Sequence, residues 1–402
     1  MERKILHVDV NSAFLSWTAV EMLKNGAGVD IRTIPAIIGG DEEKRKGIVL
    51  AKSVPAKAYG IKTADPIYFA KQKCPNLQIY PSNFKIYRKY SNAMFQILQQ
   101  YTNQIERFSI DECFLDITNF IPKEKTDIQI AYEINKRIKE ELGFTVNIGV
   151  APNKLLAKMA SDFTKPDKVH TLYTSEIPTK MWILPVSELF MVGKKSLPKL
   201  ERIGIKTIGD LAHRKQEDMA KMFGKFGKLV WEFANGIDET PVNSQKEEPK
   251  CIGNSATLPQ DLTNLEKIEE VLLALTEQTT YRLRKHNLLA STVGVQLRTK
   301  EFKNYSHQKT LLTPTDSTKI IYEMAKAILQ ELYKGDPIRL IGVRVDNLKS
   351  PDNLQISLFD TPRNEKQKRL DKTIDNIKEK FGYDAITRAG KMETDHLMDF
   401  KD

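Results

Sequence analysis

The sequence is poor in cysteine and lacks any long apolar run. Its three cysteines, Cys74, Cys113 and Cys251, are odd in number and far apart. They therefore provide neither a disulfide framework nor the spacing of a zinc site, which is typical of a reducing cytosol. No apolar run approaches the length that a bilayer requires, and the charged start leads into a predicted strand rather than a signal peptide. We therefore expect a cytoplasmic protein with no membrane partner.

What is present is a composition that supports several folded domains. The chain of 402 residues is 41% hydrophobic and 28% charged, with no internal repeat or low-complexity tract. This length predicts two to four compact units. The 62 Lys and Arg residues exceed the 52 Asp and Glu residues, giving a formal net charge of +10. Such a charge suits an acidic partner such as nucleic acid, but many unrelated proteins share it.

The first part of the chain has the element order of a split βαβ fold. The pattern predicts a strand at 5–10, helices at 14–24 and 84–104, a hairpin at 105–118, a helix ending at Gly143 and a strand at 144–150. Strand, helix, hairpin, helix, strand is the ferredoxin-like order. A large insertion, roughly residues 20–80, interrupts it after the first strand.

Beyond residue 170 the character of the sequence changes. Residues 175–235 are helical and basic, and residues 244–250 are polar without apolar periodicity, which predicts a linker. Residues 251–349 mix helices with strands, two of which are predicted at 291–298 and 338–345. Residues 350–402 hold one short apolar peptide followed by an amphipathic helix around Leu370, Ile374 and Ile377. The predicted fold class is therefore α+β with several domains.

Three carboxylates stand where such a sheet would bring them together. Asp9 ends the first strand, and Asp111 and Glu112 lie at the corner of the predicted hairpin. Because these strands are neighbours in a split βαβ sheet, the acids can converge, and their repulsion favours a divalent cation such as Mg²⁺. Two such ions polarise an attacking hydroxyl and a phosphate together. Taken alone, however, these residues favour a plainer interpretation, a capping Asp9 and a solvated acidic turn.

Longer motifs favour the metal site over the plainer interpretation, because they resemble a known family. HVDVNSAF at residues 7–14, SIDECFLD at 109–116 and GVAPNKLLAKMASDFTKPD at 149–167 resemble the core motifs of the Y-family translesion DNA polymerases. The bacterial DNA polymerase IV branch is the most similar. The resemblance continues in order through residues 49–63, 192–211 and 291–311, and so covers nearly the whole chain.

The resemblance implies a right-hand polymerase with a ferredoxin-like palm, small fingers, a helical thumb and an α+β little finger. The implied domains are the palm at 1–19 and 81–174, the fingers at 20–80, the thumb with a helix-hairpin-helix at 175–239, the linker at 240–250, the little finger at 251–349 and the tail at 350–402. The implied reaction is template-directed addition of deoxynucleotides to a primer 3′ end. It would proceed past template damage at low fidelity and without proofreading.

The same resemblance implies the metal site. Asp9, Asp111 and Glu112 would be the catalytic acids and the ligands of two Mg²⁺ ions, and the backbone carbonyl of Val10 would complete the second ion's site. No side chain need act as a strong base, since the catalysis is positioning and charge neutralisation.

The triphosphate would be held by residues around these acids. Lys158 matches a lysine that contacts the triphosphate in the family. Lys57 stands where Arg is usual, so it offers a point charge rather than a planar guanidinium that binds through two parallel hydrogen bonds. Val54 stands where the family often has a Tyr hydroxyl, and Ser53 would partly replace that donor.

The turn after the first strand would complete the nucleotide site. The backbone amides of Ser12 and Ala13 would cradle the triphosphate. Phe14 would block a ribose 2′-hydroxyl, although its ring also fits a plain core position. Asn11 occupies a position that is often Asp and is not counted as a ligand.

Basic residues of the thumb and little finger would grip primer-template DNA through its phosphates. The turn at Gly204 is similar to that of a helix-hairpin-helix, although such turns also occur as plain packing, and the arginines also fit a solvated sheet face. The implied contacts are Lys194, Lys195, Lys206, Arg298, Arg339 and Arg344.

The last segment contains Gln355-Ile356-Ser357-Leu358-Phe359 in a polar setting. An exposed Leu-Phe pair favours a partner pocket. The peptide resembles those that dock bacterial polymerases on the sliding clamp, with Gln355, Ser357, Leu358 and Phe359 as contacts. The chain after it is similar to the extension of polymerase V-like relatives, and it either packs on the core or binds another repair protein. The expected protein is a nucleoid-associated monomer.

Two other functions are open on the sequence. One is a clamp-tethered DNA-binding factor whose catalytic site has decayed, which Val54 and Asn11 would suit. The other is a two-metal structure-specific nuclease that uses the same acids and a helix-hairpin-helix.

Overall fold

The computed structural model describes residues 2–40, 47–245, 248–351, 362–382 and 385–386, with backbone alone at 362–365 and 368. They form two compact units, the first of residues 1–40 and 48–246 and the second chiefly of residues 247–402. The strands are β1 (Ile5–Val10), β2 (Ala36–Gly39), β3 (Val49–Lys52), β4 (Gln78–Pro81), β5 (Ile105–Arg107), β6 (Glu112–Asp116), β7 (Val146–Ala151), β8 (Val169–Thr171), β9 (Cys251–Leu262), β10 (Leu289–Thr299), β11 (Asn304–Thr315) and β12 (Ile338–Lys349). The helices are α1 (Ala13–Lys24), α2 (Val54–Ala58), α3 (Ile67–Lys73), α4 (Phe84–Leu98), α5 (Asp127–Arg137), α6 (Lys154–Asp162), α7 (Leu197–Arg202), α8 (Ile208–Ala212), α9 (Gln216–Ala234), α10 (Leu265–Lys285), α11 (Thr318–Leu332) and α12 (Pro362–Phe381). None of these described helices is both long and apolar enough to cross a membrane.

A five-stranded sheet lies at the centre of the first unit, in the order β5-β6-β1-β7-β8. Strand β1 is antiparallel to both β6 and β7. Helices connect β1 to β5 and β6 to β7, which is the split βαβ arrangement that the element order predicts. All six residues of β1 are buried, as its apolar run requires.

Local sequence sets where the helices of this unit begin and end. Thr126 and Gln129 form a reciprocal capping box at the start of α5. Gly143, at φ 82°, ends the helical segment after α5, as predicted. Helix α4 ends at Leu98 rather than at the predicted residue 104. The reason lies in Thr102, whose hydroxyl donates to the Asp116 carbonyl and turns the chain into β5.

The predicted insertion contains a separate three-stranded sheet, β3-β2-β4, with α2 and α3. The boundary expected between the palm and the fingers falls between residues 19 and 20. Both residues lie inside α1. Helices α7 and α8 are joined through Gly204 at φ 78°, a left-handed conformation that glycine adopts without strain.

The second unit is a four-stranded antiparallel sheet, β11-β10-β12-β9, packed against α10 and α11. Its first strand begins at Cys251, where the predicted linker ends. The strands predicted at 291–298 and 338–345 lie within β10 and β12.

The amphipathic helix predicted near the end of the chain is α12, and it packs on the second unit through polar contacts. Asp375 receives two hydrogen bonds from the Arg284 guanidinium, at 2.6 and 2.9 Å. Asp371 accepts from the Thr318 amide at the start of α11, at 3.2 Å. Leu370 of the apolar stripe stays 49% exposed. The peptide at 355–359 lies outside the described residues.

Replacing Asp375 with Ala is expected to destabilise the second unit by about 3 kcal/mol, because it leaves the buried Arg284 guanidinium without its carboxylate. Both side chains of the pair are about 15% exposed. Hydrogen exchange of β10 and α11 peptides measures the change. The three tryptophans, Trp17, Trp182 and Trp231, all lie in the first unit, so the tryptophan-detected unfolding transition should not move.

The matched control is Asn376→Ala on the exposed side of α12, which should change the stability by less than about 0.5 kcal/mol. Equal exchange in both variants would mean that the ion pair does not stabilise the docked helix.

Candidate active site

The register of the central sheet brings the three acids together. Asp9 of β1 lies directly opposite Glu112 of β6. The next residue, Val10, donates its amide to the Asp111 carbonyl at 3.1 Å. Residues about a hundred positions apart thus share one end of two neighbouring strands, as the split βαβ order predicts. The carboxylate of Asp111 accepts from the Ser109 hydroxyl at 2.6 Å.

Two lysines neutralise these acids. Lys158 of α6 forms an ion pair with Glu112, and Lys165 forms one with Asp9. Asp162 lies between them, 2.8 Å from the Lys165 ammonium and 3.4 Å from that of Lys158. Sequence reasoning singled out Lys158 but missed Lys165, although the seven-residue spacing of two lysines around Asp162 was a usable signal.

The electrostatics of the site reflect burial. Burial raises the pKa of Asp9 to about 6, with Lys165 opposing the rise and Glu112 adding to it. For the two lysines burial disfavours the charge, but the carboxylates outweigh it and raise the pKa of both Lys158 and Lys165.

The donor chemistry of this corner fits a hard divalent cation. The desolvated Asp9 carboxylate lies near Glu112, and Asp111 lines the same cavity as Asp9, so the corner offers the oxygen ligands that such ions prefer. In the described parts of the chain, no three His, Cys, Asp or Glu side chains are arranged to hold a metal. The ammonium groups of Lys158 and Lys165 stand among the acids and supply the balancing charge there.

A cavity of about 320 Å³ opens beside Asp9 and Asp111. It gathers most of the residues predicted to bind the nucleotide, and adds two lysines that were not predicted. Its lining includes Val10, Ser12, Ala13, Phe14, Ser53, Lys57, Lys52 and Lys165. Lys158, in contrast, lines a second cavity of about 590 Å³ with Phe108 and Phe114.

The turn from β1 into α1 lines the first cavity at Ser12 and Ala13. Ser12 is left-handed, at φ 48° and ψ 51°, and α1 begins at Ala13 without a side-chain cap from the described chain. A left-handed residue followed by a helical one turns successive N–H groups inward and forms an anion-binding concavity. The first N–H groups of a helix also lack intrahelical acceptors. This strain at a non-glycine residue is typical of a functional site.

Phe14 lies at the wall of the same cavity and is braced from behind. Its ring stacks on Tyr87 at a centroid distance of 4.4 Å and an interplanar angle of 12°. Tyr87 is fully buried, and Phe84 meets Phe14 edge-on at 5.8 Å. The ring therefore has little room to move away from the cavity.

The Ser53 hydroxyl, which was predicted to donate to a phosphate, is engaged within the protein. The side chain is 2% exposed. Its hydroxyl donates to the Ile34 carbonyl at 2.7 Å and accepts from the amides of Ala36 and Ala56. Ser53 is the cap of α2, the helix that carries Lys57. The sequence signal was a Ser one residue before a Val-Pro helix start.

Asn11 is a structural residue. Its amide donates to Asn147 at 3.1 Å, and its carbonyl oxygen accepts from the Thr145 hydroxyl and the Asp167 amide, each at 2.9 Å. These contacts are consistent with its omission from the predicted ligand set.

The residues predicted to contact DNA fall in both units. Lys194 and Lys195 are exposed just before α7, and Lys206 is exposed in the turn between α7 and α8. Arg298 on β10 donates to Asn304 at 2.7 Å, and Arg339 on β12 lies 4.9 Å from the Phe302 ring centroid. Arg344 on β12 donates to Gln308 and pairs with Asp346. Each arginine thus has a neighbour that orients its guanidinium.

Comparison with known proteins identifies the family. Residues 8–162 match the impB/mucB/samB family, and residues 249–358 match the C-terminal domain of that family. The chain is 49% identical to DNA polymerase IV of Clostridium acetobutylicum, with 98% of this chain and 99% of the relative covered. It is 34% identical to DNA polymerase IV 1 of Bacillus subtilis, with 97% and 94% covered.

A solved structure has the same fold. A Y-family DNA polymerase chimera aligns with a TM-score of 0.74 at 25% identity, covering 86% of this chain and 99% of the chimera. Sequence and fold thus agree over most of the chain. The chain therefore belongs to the Y family of DNA polymerases, alongside the bacterial DNA polymerases IV.

Proposed function

We propose that this translesion DNA polymerase joins deoxynucleotides to a primer 3′ end at the corner formed by Asp9, Asp111 and Glu112. The observation that carries the proposal is the pairing of Asp9 with Glu112 across two strands, beside a cavity that Asp111 also lines. The cited relatives are all named DNA polymerases IV, which gives no support to a decayed binding factor or a nuclease.

Membership of the family implies dependence on a divalent metal. We propose two Mg²⁺ ions, held by the three carboxylates and the Val10 carbonyl. When bound, the ions would supply charge neutralisation and a lower pKa for the primer hydroxyl. Lys158 and Lys165 neutralise the same carboxylates in the protein alone, so each lysine is available to turn toward phosphate once the acids have another cation.

The protein's own groups would hold the incoming nucleotide in the cavity of about 320 Å³. The amides of Ser12 and Ala13 would bind phosphate oxygens, with Lys57 and Lys165 adding positive charge. Ser53 contributes indirectly, because it caps the helix that carries Lys57. Phe14 would lie against the sugar.

The proposed domains keep the implied order, with palm and fingers followed by the thumb, the linker and the little finger. Lys194, Lys195 and Lys206 would bind duplex phosphates from the thumb, and Arg298, Arg339 and Arg344 from the little finger. The enzyme would act as a cytoplasmic, nucleoid-associated monomer. Binding to DNA should weaken steeply with salt, because phosphate contacts release counterions.

Primer extension tests the proposal directly. The wild-type protein with Mg²⁺ should extend a labelled primer on an undamaged and on an abasic template, and Asp111→Ala should remove both activities. Asp116→Asn, further along β6, is the matched control and should extend normally. Tight DNA binding without extension would favour a decayed factor, and shortening of the DNA would favour a nuclease.

Deleting residues 355–359 is expected to abolish stimulation by the sliding clamp without changing extension in its absence. The expectation rests on the resemblance of Gln355, Ser357, Leu358 and Phe359 to a clamp-binding peptide. Extension of a long primed template with and without clamp measures the effect. A deletion variant that the clamp still stimulates would contradict it.

A further inference from the structure

His7 is a buried histidine whose ring is only half satisfied. It lies on β1 two residues before Asp9 and is fully buried. Its Nδ1 is 2.7 Å from the Ser161 hydroxyl oxygen. Its Nε2 has no hydrogen-bond partner among the described residues and lies 3.7 Å from Glu112 Oε1. A buried polar atom without a partner destabilises a fold, so its position requires an explanation.

Two tautomers of the ring fit the Ser161 hydroxyl, which donates its one proton either to the Lys158 carbonyl at 2.7 Å or to His7 Nδ1. The Lys158 carbonyl lies in α6 and also receives the amide of Asp162 through the helix repeat, so it keeps a donor when the hydroxyl turns to Nδ1. The ring proton then lies on Nε2. The Glu112 carboxylate favours this tautomer, because the other would direct a lone pair at it.

With its proton on Nε2, the imidazole is a hydrogen-bond donor aimed at Glu112.

We propose that His7 is a positioning residue, which holds the Glu112 carboxylate through Nε2–H when Lys158 turns toward the triphosphate. The inference rests on the proposed role of Glu112. Lys158 now occupies Oε1. Once it leaves, a shift of about 0.8 Å would bring the 3.7 Å separation to hydrogen-bond length. Such a bond would fix the carboxylate for its ligand role, as hydrogen bonds to metal-binding groups generally do.

The tautomer can be measured without metal or substrate. Nitrogen-15 NMR of the imidazole rings in the metal-free protein at neutral pH should show His7 with its proton on Nε2. The signal is assigned by its loss in His7→Phe, or in His7→Gln if the former does not fold. A proton on Nδ1 would overturn the proposal.

Three substitutions separate the two nitrogens. In His7→Gln the amide nitrogen is close to the Nε2 position, in His7→Asn it is close to the Nδ1 position, and His7→Phe has neither. The Asn and Phe variants should raise the Mg²⁺ concentration for half-maximal extension roughly 10- to 100-fold and lower kcat, whereas Gln should stay within about threefold of wild type. The KM for primer-template should not change. Equal losses in Gln and Asn, or no loss in either, would refute the assignment.

Failure of this inference is distinguishable from failure of the proposed function. An inactive wild-type enzyme would contradict the function and leave the tautomer measurement intact. An inactive Glu112→Gln variant with normal Mg²⁺ dependence in His7→Asn would keep the function and remove only the role of His7.

Discussion

Replacing Asp9 with Asn is expected to abolish primer extension and, at the same time, to stabilise the metal-free protein. The loss of extension should be roughly 1000-fold, the scale seen when a group that balances transition-state charge is removed. The gain in stability follows from burial, which raises the pKa of Asp9 to about 6 from an ordinary value of 3.8. Above pH 6 Asp9 is ionised in both the folded and the unfolded state, and its charge is less stable in the folded protein than in the unfolded chain.

The sign of the pH dependence follows from the same shift. A raised pKa makes the ionised group destabilising at high pH, and this cost disappears as the pH falls through about 6 and the folded protein binds the proton. The free energy of unfolding of Asp9→Asn should therefore exceed that of wild type by about 2 kcal/mol near pH 8, with the difference shrinking at lower pH. Denaturant unfolding in the presence of a chelator measures it.

Asp30→Asn is a control with the opposite sign. Asp30 accepts hydrogen bonds from the Arg32 guanidinium at 2.9 and 2.7 Å, and these bonds lower its pKa. A lowered pKa stabilises the fold at neutral pH, so this variant should lose stability there. The loss should vanish in acid, as the pH falls through the lowered pKa and the wild-type carboxyl is protonated. Extension should be unchanged. Retained extension in Asp9→Asn, or a loss of stability there as in Asp30→Asn, would contradict the proposed site.

The sequence predicted the central sheet well and the docking of the last helix poorly. The alternation of apolar residues and the hairpin around Asp111 and Glu112 were sufficient to place β1 beside β6, because strand order in a split βαβ fold leaves few alternatives. The apolar stripe on α12 predicted a helix but not its docking. That depends on Arg284 and Asp375, about ninety residues apart, whose pairing no local pattern reveals.

The parts of the site that sequence reasoning missed are polar groups whose role depends on tertiary partners. Lys165 is a lysine on a loop, and only the folded chain brings it to Asp9. His7 looks like one residue of an apolar strand until Ser161 and Glu112 are seen on either side of its ring. The role of Ser53 as the cap of α2 was also missed, because the sequence does not distinguish a serine that binds phosphate from one that caps a helix. The local sequence pattern limits which polar side chains can lie near the site. Tertiary packing decides which of them already have a partner within the protein.

Replacing Phe14 with Ala is expected to raise ribonucleotide incorporation relative to deoxynucleotide incorporation about 30-fold. Phe14 lines the cavity, and the stacked Tyr87 ring behind it, at 4.4 Å, prevents it from yielding. An added 2′-hydroxyl would therefore overpack a rigid wall, at a cost of about 2 kcal/mol that the smaller side chain removes. The ratio of kcat/KM for matched nucleotides in single-insertion assays measures the change.

Phe84→Ala is the matched control for this prediction. Phe84 meets the edge of Phe14 at 5.8 Å but does not line the cavity, so its loss removes an aromatic contact without creating space at the sugar. Its discrimination ratio should stay within about threefold of wild type. If both variants relax the ratio equally, the ring of Phe14 acts through general packing of the aromatic cluster. If only Phe14→Ala relaxes it, the ring itself is the wall that excludes the hydroxyl, since the two variants differ in which ring faces the nucleotide.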